Sequence, residues 1–224
     1  MPKRPTVPDR LFDDIDTDSE DLVGKRFQGW VVDELHPFLN GLSCLDDVQV
    51  IRRRWKSRTG ASTAFGTFRA YPRHWCSFNH GGRSEGQFNV GMFPRYFRVG
   101  LGFEFTEKMG GNPTDVALAF TMFRNLTIDS PAYADFVKAN CIEVEYAPPP
   151  YGDLGHVPTA SVVRWEPPAS PPIQWVFFGR LLRRGTDREI LEDPIRFGNA
   201  LRDVFSGFKP FWVRAQEQAA RWKK

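Results

Sequence analysis

Cysteine is scarce in this chain. Cys44, Cys76 and Cys141 are the only three in 224 residues, and no two stand at CxxC spacing. An odd, scattered set argues against a disulfide framework and a structural zinc site, and is read as small buried thiols in a reducing compartment. Long apolar runs are also lacking: none approaches the roughly 18 residues of a membrane span. The N-terminal Met1-Pro2-Lys3-Arg4-Pro5 leads into acids instead of an apolar segment, unlike an ordinary secretory signal. A cytoplasmic location away from membranes is therefore expected. No Walker loop or HExxH is present, and Gly100-Leu101-Gly102 falls inside a predicted strand, so it is no phosphate loop. Negative charge is locally scarce as well. Residues 51–100 hold ten Arg or Lys and a single acid, Glu85; the segment carries +9 where the whole chain carries +3, leaving −6 elsewhere.

What the chain has is aromatic. Twenty Phe and seven Trp supply the large contact areas of a β-rich core, while 41% hydrophobic and 25% charged residues are ordinary for a globular protein. The length suits one large domain. Residues 1–18 are polar, with Asp13, Asp14, Asp16 and Asp18, and are expected as a flexible acidic arm. Residues 19–224 are expected as a single α+β domain.

Within it, Leu22, Val23, Phe27, Trp30, Val31, Leu35, Phe38 and Leu39 recur at three- and four-residue steps, predicting a helix over 19–40 that stops near Gly41. From Asp47 the period becomes two, and the main sheet is predicted over 47–105: one strand through Arg52–Arg58, others at Ala64–Tyr71 and Trp75–Asn79, then a hairpin. In that hairpin Phe88, Val90 and Met92, and Phe97, Val99, Leu101, Phe103 and Phe105, form an apolar face opposite a polar or bare one. Asn112-Pro113-Thr114-Asp115 and Ser130-Pro131 start helices over 113–139. Strands over 142–182 are expected at Ile142–Tyr146, Ser161–Trp165 and Ile173–Leu182. Asp193-Pro194 opens a C-terminal helix over 194–222, broken or kinked at Gly207 to Pro210. The fold class is thus α+β: a curved antiparallel sheet of about five or more strands packed by N-terminal, central and C-terminal helices.

Three constellations bear on function. Arg52, Arg54, Lys56 and Arg58 share one strand face, a spacing suited to phosphates along a backbone; the plainer reading is an edge strand protected by charge. Glu85, Gln87 and Asn89 share a face flanked by His80 and Arg83, with Arg98 on the partner strand. Amide side chains match base edges and arginine matches guanine or phosphate, whereas the plainer reading is a solvated sheet face. Gly91, Gly100 and Gly102 imply either a groove where a ligand meets bare backbone or a coiled, bulged sheet. A second basic cluster, Arg180, Arg183, Arg184 and Arg188, extends the surface if it lies near. Carboxylates for a metal-dependent nuclease come from Glu85, Glu104, Glu143 and Glu145, with Asp135, Glu107 beside Lys108, and Asp153 with His156 as looser sets; none has a specific spacing.

Trp75…Gly81-Gly82-Arg83-Ser84-Glu85-Gly86-Gln87-Phe88-Asn89-Val90-Gly91, followed by Arg98-Val99-Gly100-Leu101-Gly102-Phe103-Glu104-Phe105, resembles segments found beside bacterial restriction endonucleases. About thirty residues carry the resemblance, and no catalytic signature or residue role comes with it. It implies a DNA-recognition domain for a particular sequence or modified base, with cleavage elsewhere.

The expected function is nucleic-acid recognition, with duplex DNA favoured, in a restriction or defence setting. Arg52, Arg54, Lys56 and Arg58 would grip phosphates; His80, Arg83, Glu85, Gln87, Asn89 and Arg98 would read bases or line a pocket. No cofactor is expected, with magnesium only under the nuclease alternative. A protein-interaction or small-ligand module is the other alternative. Whether the chain is an enzyme, and whether it forms a homodimer or joins a larger restriction complex, stays open at this point.

Overall fold

The computed structural model describes residues 4–16, 26, 29–48, 64–68, 73–78, 85–105, 113–147, 154–168 and 173–222, of which 14–16, 64–68 and 73–78 are described by backbone alone. The fold is α+β with an antiparallel sheet, as the periodicities predict. Among the described residues the strands are β1 (Ala64–Phe68), β2 (Arg73–Phe78), β3 (Gln87–Met92), β4 (Tyr96–Glu104), β5 (Ile142–Ala147), β6 (Gly155–Val157) and β7 (Trp175–Arg183). They are ordered β1-β2-β3-β4-β7-β5-β6. The register sets Gly66 opposite Trp75, Val144 opposite Phe178 and Glu145 opposite His156. The helices are α1 (Asp9–Asp16), α2 (His36–Leu39, entered through a π-helical turn Val31–Leu35), α3 (Pro113–Thr127), α4 (Pro131–Ala139), α5 (Arg188–Glu192) and α6 (Pro194–Trp222).

The chain divides into two compact units: Met1–Gly81, Asn89–Val99 and Leu181–Asp203 in the first, and Gly82–Phe88, Gly100–Arg180 and Val204–Lys224 in the second. The segments interleave, so no linker marks a boundary in the sequence.

In the first unit the apolar stripe around Trp30 and Leu35 packs as expected. The Trp30 ring meets Phe97 edge-on at 5.9 Å, and Phe97 in turn meets Phe197 at 5.3 Å. Residues 4–16 are not the arm that their polarity suggested. Leu11 and Phe12 are buried, Val7 N–H donates to Leu191 O at 2.9 Å, and the Trp30 indole donates to Thr6 O at 2.7 Å. Burial of two adjacent apolar side chains is enough to dock an eight-residue helix, and that signal is hidden among four aspartates.

In the second unit α3 packs on the aromatic residues of the sheet, and α4 packs against α3 through Tyr133. Phe123 packs against Phe103, Phe178 and Tyr133 at centroid distances of 5.3 to 6.0 Å. The Ser130 hydroxyl caps α4 by accepting from Tyr133 N–H, with Pro131 at the first turn. α6 spans Pro194–Trp222 as expected and continues through Pro210, so of the break or kink expected at Gly207 to Pro210 the break does not occur. Pro210 and Ser206 are solvent-exposed, so the carbonyl that loses its partner can turn to water. Gly207 serves packing: a Cβ there would stand 2.0 Å from the Phe136 ring.

The expected strand Ser161–Trp165 is instead a 3-10 turn, Thr159–Ser161, and a following turn. Its carbonyls have another partner. Arg124 Nη2 donates to Val163 O at 2.9 Å and to Trp165 O at 2.7 Å, so the segment needs no ladder. The expected strand through Arg52–Arg58 lies outside the described residues, as does most of the helix start at 19–28. Cysteine burial also differs from expectation: Cys141 is exposed, at a left-handed φ of 50°, and Cys44 is half-buried.

Candidate functional site

Of the ten residues singled out for nucleic-acid binding, Arg52, Arg54, Lys56, Arg58, His80 and Arg83 lie outside the described residues. Glu85 and Gln87 are half-buried. Asn89 and Arg98 are 6% and 2% exposed, so at these two positions the polar face is covered and the plainer reading, a solvated face, does not hold. They face each other: Arg98 Nε donates to Asn89 Oδ1 at 3.1 Å, and the guanidinium lies 4.9 Å from the centre of the Phe93 ring. A period of two assigns residues to a face; it does not say whether that face is covered. A buried guanidinium hydrogen-bonded and stacked on an aromatic ring fits a structural part better than a reading one.

The glycines resolve in the same way. A Cβ at Gly100 would come within 2.1 Å of Phe178 O and 2.6 Å of Gly179 Cα, so the bare backbone accommodates β7. At Gly91 a Cβ would meet Arg98 Nε at 2.9 Å. The chain's own strand and side chain take the room that a ligand groove would have needed.

The carboxylates behave differently from the expected sets. Glu143 and Glu145 on β5 are buried, and Glu143 pairs with Nε2 of His156 across to β6. Asp153, the expected companion of His156, lies outside the described residues. Among the described residues no three His, Cys, Asp or Glu side chains are grouped as a metal site.

A site that period reading could not assemble lies in the first unit. A tight turn joins β3 to β4: Phe93 N–H donates to Tyr96 O at 2.9 Å and the two rings stack at 4.4 Å, leaving Arg95 exposed at the tip. The end of β7 comes alongside, with Arg184 N–H donating to Arg95 O at 2.9 Å. Asp187 closes the following turn, accepting from Arg183 N–H at 2.8 Å, and α5 begins at Arg188. These three segments and α1 border a shallow, open cleft of about 530 Å³ lined by Asp9, Pro94, Arg95, Arg184, Gly185 and Arg188.

Each arginine of the cleft is in a different situation. Arg184 Nη2 donates to Asp13 Oδ1 at 2.6 Å and Nε to Asp9 Oδ1 at 3.2 Å, and its guanidinium lies 5.4 Å from the centre of the Phe12 ring. The hydrogen bond to Asp13, with help from Asp9, pushes the Arg184 guanidinium further up from its ordinary value. Arg188 pairs with Glu192 one turn along α5, which raises it likewise. The Arg95 side chain has no ion-pair partner among the described residues. The sequence had flagged Arg184 and Arg188 as a second basic cluster and Arg95 only as part of a charge count. Convergence from residues 95 and 184 is a tertiary fact with no periodic signature.

No protein-family model matches the chain, and no curated protein matches it either.

Proposed function

We propose that this protein binds nucleic acid, with duplex DNA as the favoured ligand, through the basic surface of its first unit. The observation that carries the reading is the cleft in which Arg95, Arg184 and Arg188 converge from a hairpin tip, a strand end and a short helix. Guanidinium forks match phosphate oxygens in geometry and charge, and their charge does not depend on pH in any physiological range. Arg184 already holds two carboxylates, which supports the affinity of this spot for anions. The row Arg52, Arg54, Lys56 and Arg58 adds positive charge within the same unit's sequence. Contacts of this kind position a backbone and carry no sequence information by themselves. Base reading is therefore not assigned to Asn89 and Arg98, which are occupied with each other. A restriction or defence setting rests on the resemblance of residues 75–105.

The test is an electrophoretic shift with short duplexes, modified and unmodified, with and without magnesium. Retardation at low salt that disappears as salt rises supports the proposal. Absence of any shift at the lowest salt overturns it, and a preference for modified duplex would support the restriction setting.

A further inference from the structure

We propose that α1 is a built-in competitor for the phosphate site, an inference that rests on the cleft being the binding surface. Three residues of α1 close on one guanidinium: Asp9, Phe12 and Asp13, spaced i, i+3 and i+4 so that they share a helix face. Their geometry on Arg184 is specific. Asp9 accepts from Nε and Asp13 from Nη2, so the two carboxylates divide between them the side-on fork that the two oxygens of one phosphate would take. Phe12 covers a face of the same group. Asp9 also lines the cleft itself, placing negative charge where a phosphate would enter.

The lock is light enough to open. Arg184 is 31% exposed, and Asp9 and Asp13 are 45% and 62% exposed, so both pairs are in contact with water and are screened by salt. Leu11 and Phe12 keep the helix docked through burial, which is separate from the charges. A ligand offering several phosphates can therefore displace the carboxylates without unfolding α1. In the free protein the acidic helix neutralises the cleft and disfavours single anions, and a polyanion overcomes it by engaging Arg95 and Arg188 together with Arg184.

The experiment is fluorescence anisotropy of a labelled duplex titrated with the full chain, comparing wild type, Asp9→Asn/Asp13→Asn, Asp13→Glu and Arg184→Ala at one low salt concentration. The double Asn variant is expected to bind about three- to ten-fold more tightly, the range that one or two exposed ion pairs carry. Asp13→Glu, which keeps the charge, is expected to match wild type. Asp13→Asn alone, leaving Asp9 in place, keeps the comparison open if the double variant melts early, and is expected to show the smaller gain. Unchanged affinity in the Asn variants, alongside weaker binding by Arg184→Ala, overturns the competitor and leaves the binding site standing. Wild-type affinity in Arg184→Ala, or no binding by any form, overturns both.

Discussion

Arg98 and Asn89 hydrogen-bond each other inside the β3–β4 hairpin, where sequence pattern alone had turned both toward a ligand. The relationship moves the candidate surface from the middle of the sheet to the hairpin tip, and it makes the pair a stability element. Arg98→Ala leaves the Asn89 carboxamide oxygen without this donor and strips the Phe93 ring of its cation. A loss of about 3 kcal/mol is expected from the orphaned polar group and the cavity together. Urea unfolding with an unchanged m-value measures it. Weaker DNA binding with undiminished stability would return Arg98 to the recognition surface.

Gly100 and Gly102 separate two kinds of glycine on one strand. At Gly100 an added methyl meets the backbone of β7, which cannot move without parting the sheet, so Gly100→Ala is expected to cost about 3 kcal/mol. At Gly102 the nearest atoms would be 3.6 Å away, ordinary contact, so Gly102→Ala is expected to stay within about 1 kcal/mol of wild type. Thermal melting of the two variants decides it. Equal losses would mean that strand conformation matters here and close approach does not.

Tyr133 gives a pH signature. Its ring is fully buried and its hydroxyl has no hydrogen-bond partner among the described residues, so burial pushes the phenol up, partly offset by the nearby Arg124 charge. The ordinary phenol titrates near 10. Below that pH both folded and unfolded chains keep the proton, and Tyr133 contributes no pH dependence. Above it the unfolded chain loses the proton while the folded one retains it, so stability falls as pH rises. Tyr133→Phe is expected to be neutral or slightly stabilising at pH 7 and to remove that alkaline slope, about 1.4 kcal/mol per pH unit. Denaturation midpoints between pH 8 and 11 for both proteins measure it; parallel curves would contradict the burial argument.

Cys141 turns the chain from α4 into β5 with a left-handed φ of 50°, a conformation that costs a side-chain-bearing residue about 1 kcal/mol relative to glycine. Cys141→Gly is therefore expected to raise the melting temperature, since the side chain is exposed. A lower melting temperature would show that the thiol has a role which the backbone strain conceals.

The parts of this fold visible in the sequence were those with a local cause. The alternation of Phe97, Val99, Leu101 and Phe103 specifies β4, and Ser130-Pro131 specifies the start of α4 within a residue. Local patterns failed where a distant partner decides. Val162 and Trp165 read as a strand because nothing nearby announces that Arg124, 39 and 41 residues from the two carbonyls, takes Val163 O and Trp165 O. Docking of α1 depends on burying two residues, Leu11 and Phe12, in a segment dominated by aspartate. The site followed the same division. Positive charge was countable along the chain, and Arg184 and Arg188 stood out with Arg180 and Arg183 as a second basic cluster. The meeting of Arg184 with Arg95 and Asp9 is set by strand ends and a docked helix that only the folded chain brings together.

The most direct measurement of the central claim is the salt dependence of duplex binding in wild type and in Arg95→Ala/Arg188→Ala. For wild type, the logarithm of the binding constant is expected to fall linearly with the logarithm of salt, with a slope of several. The double variant is expected to bind more weakly, with the slope reduced by about 2, one for each phosphate contact removed. Binding that ignores salt, or a variant whose slope and affinity equal those of wild type, would contradict a phosphate-binding cleft at Arg95, Arg184 and Arg188.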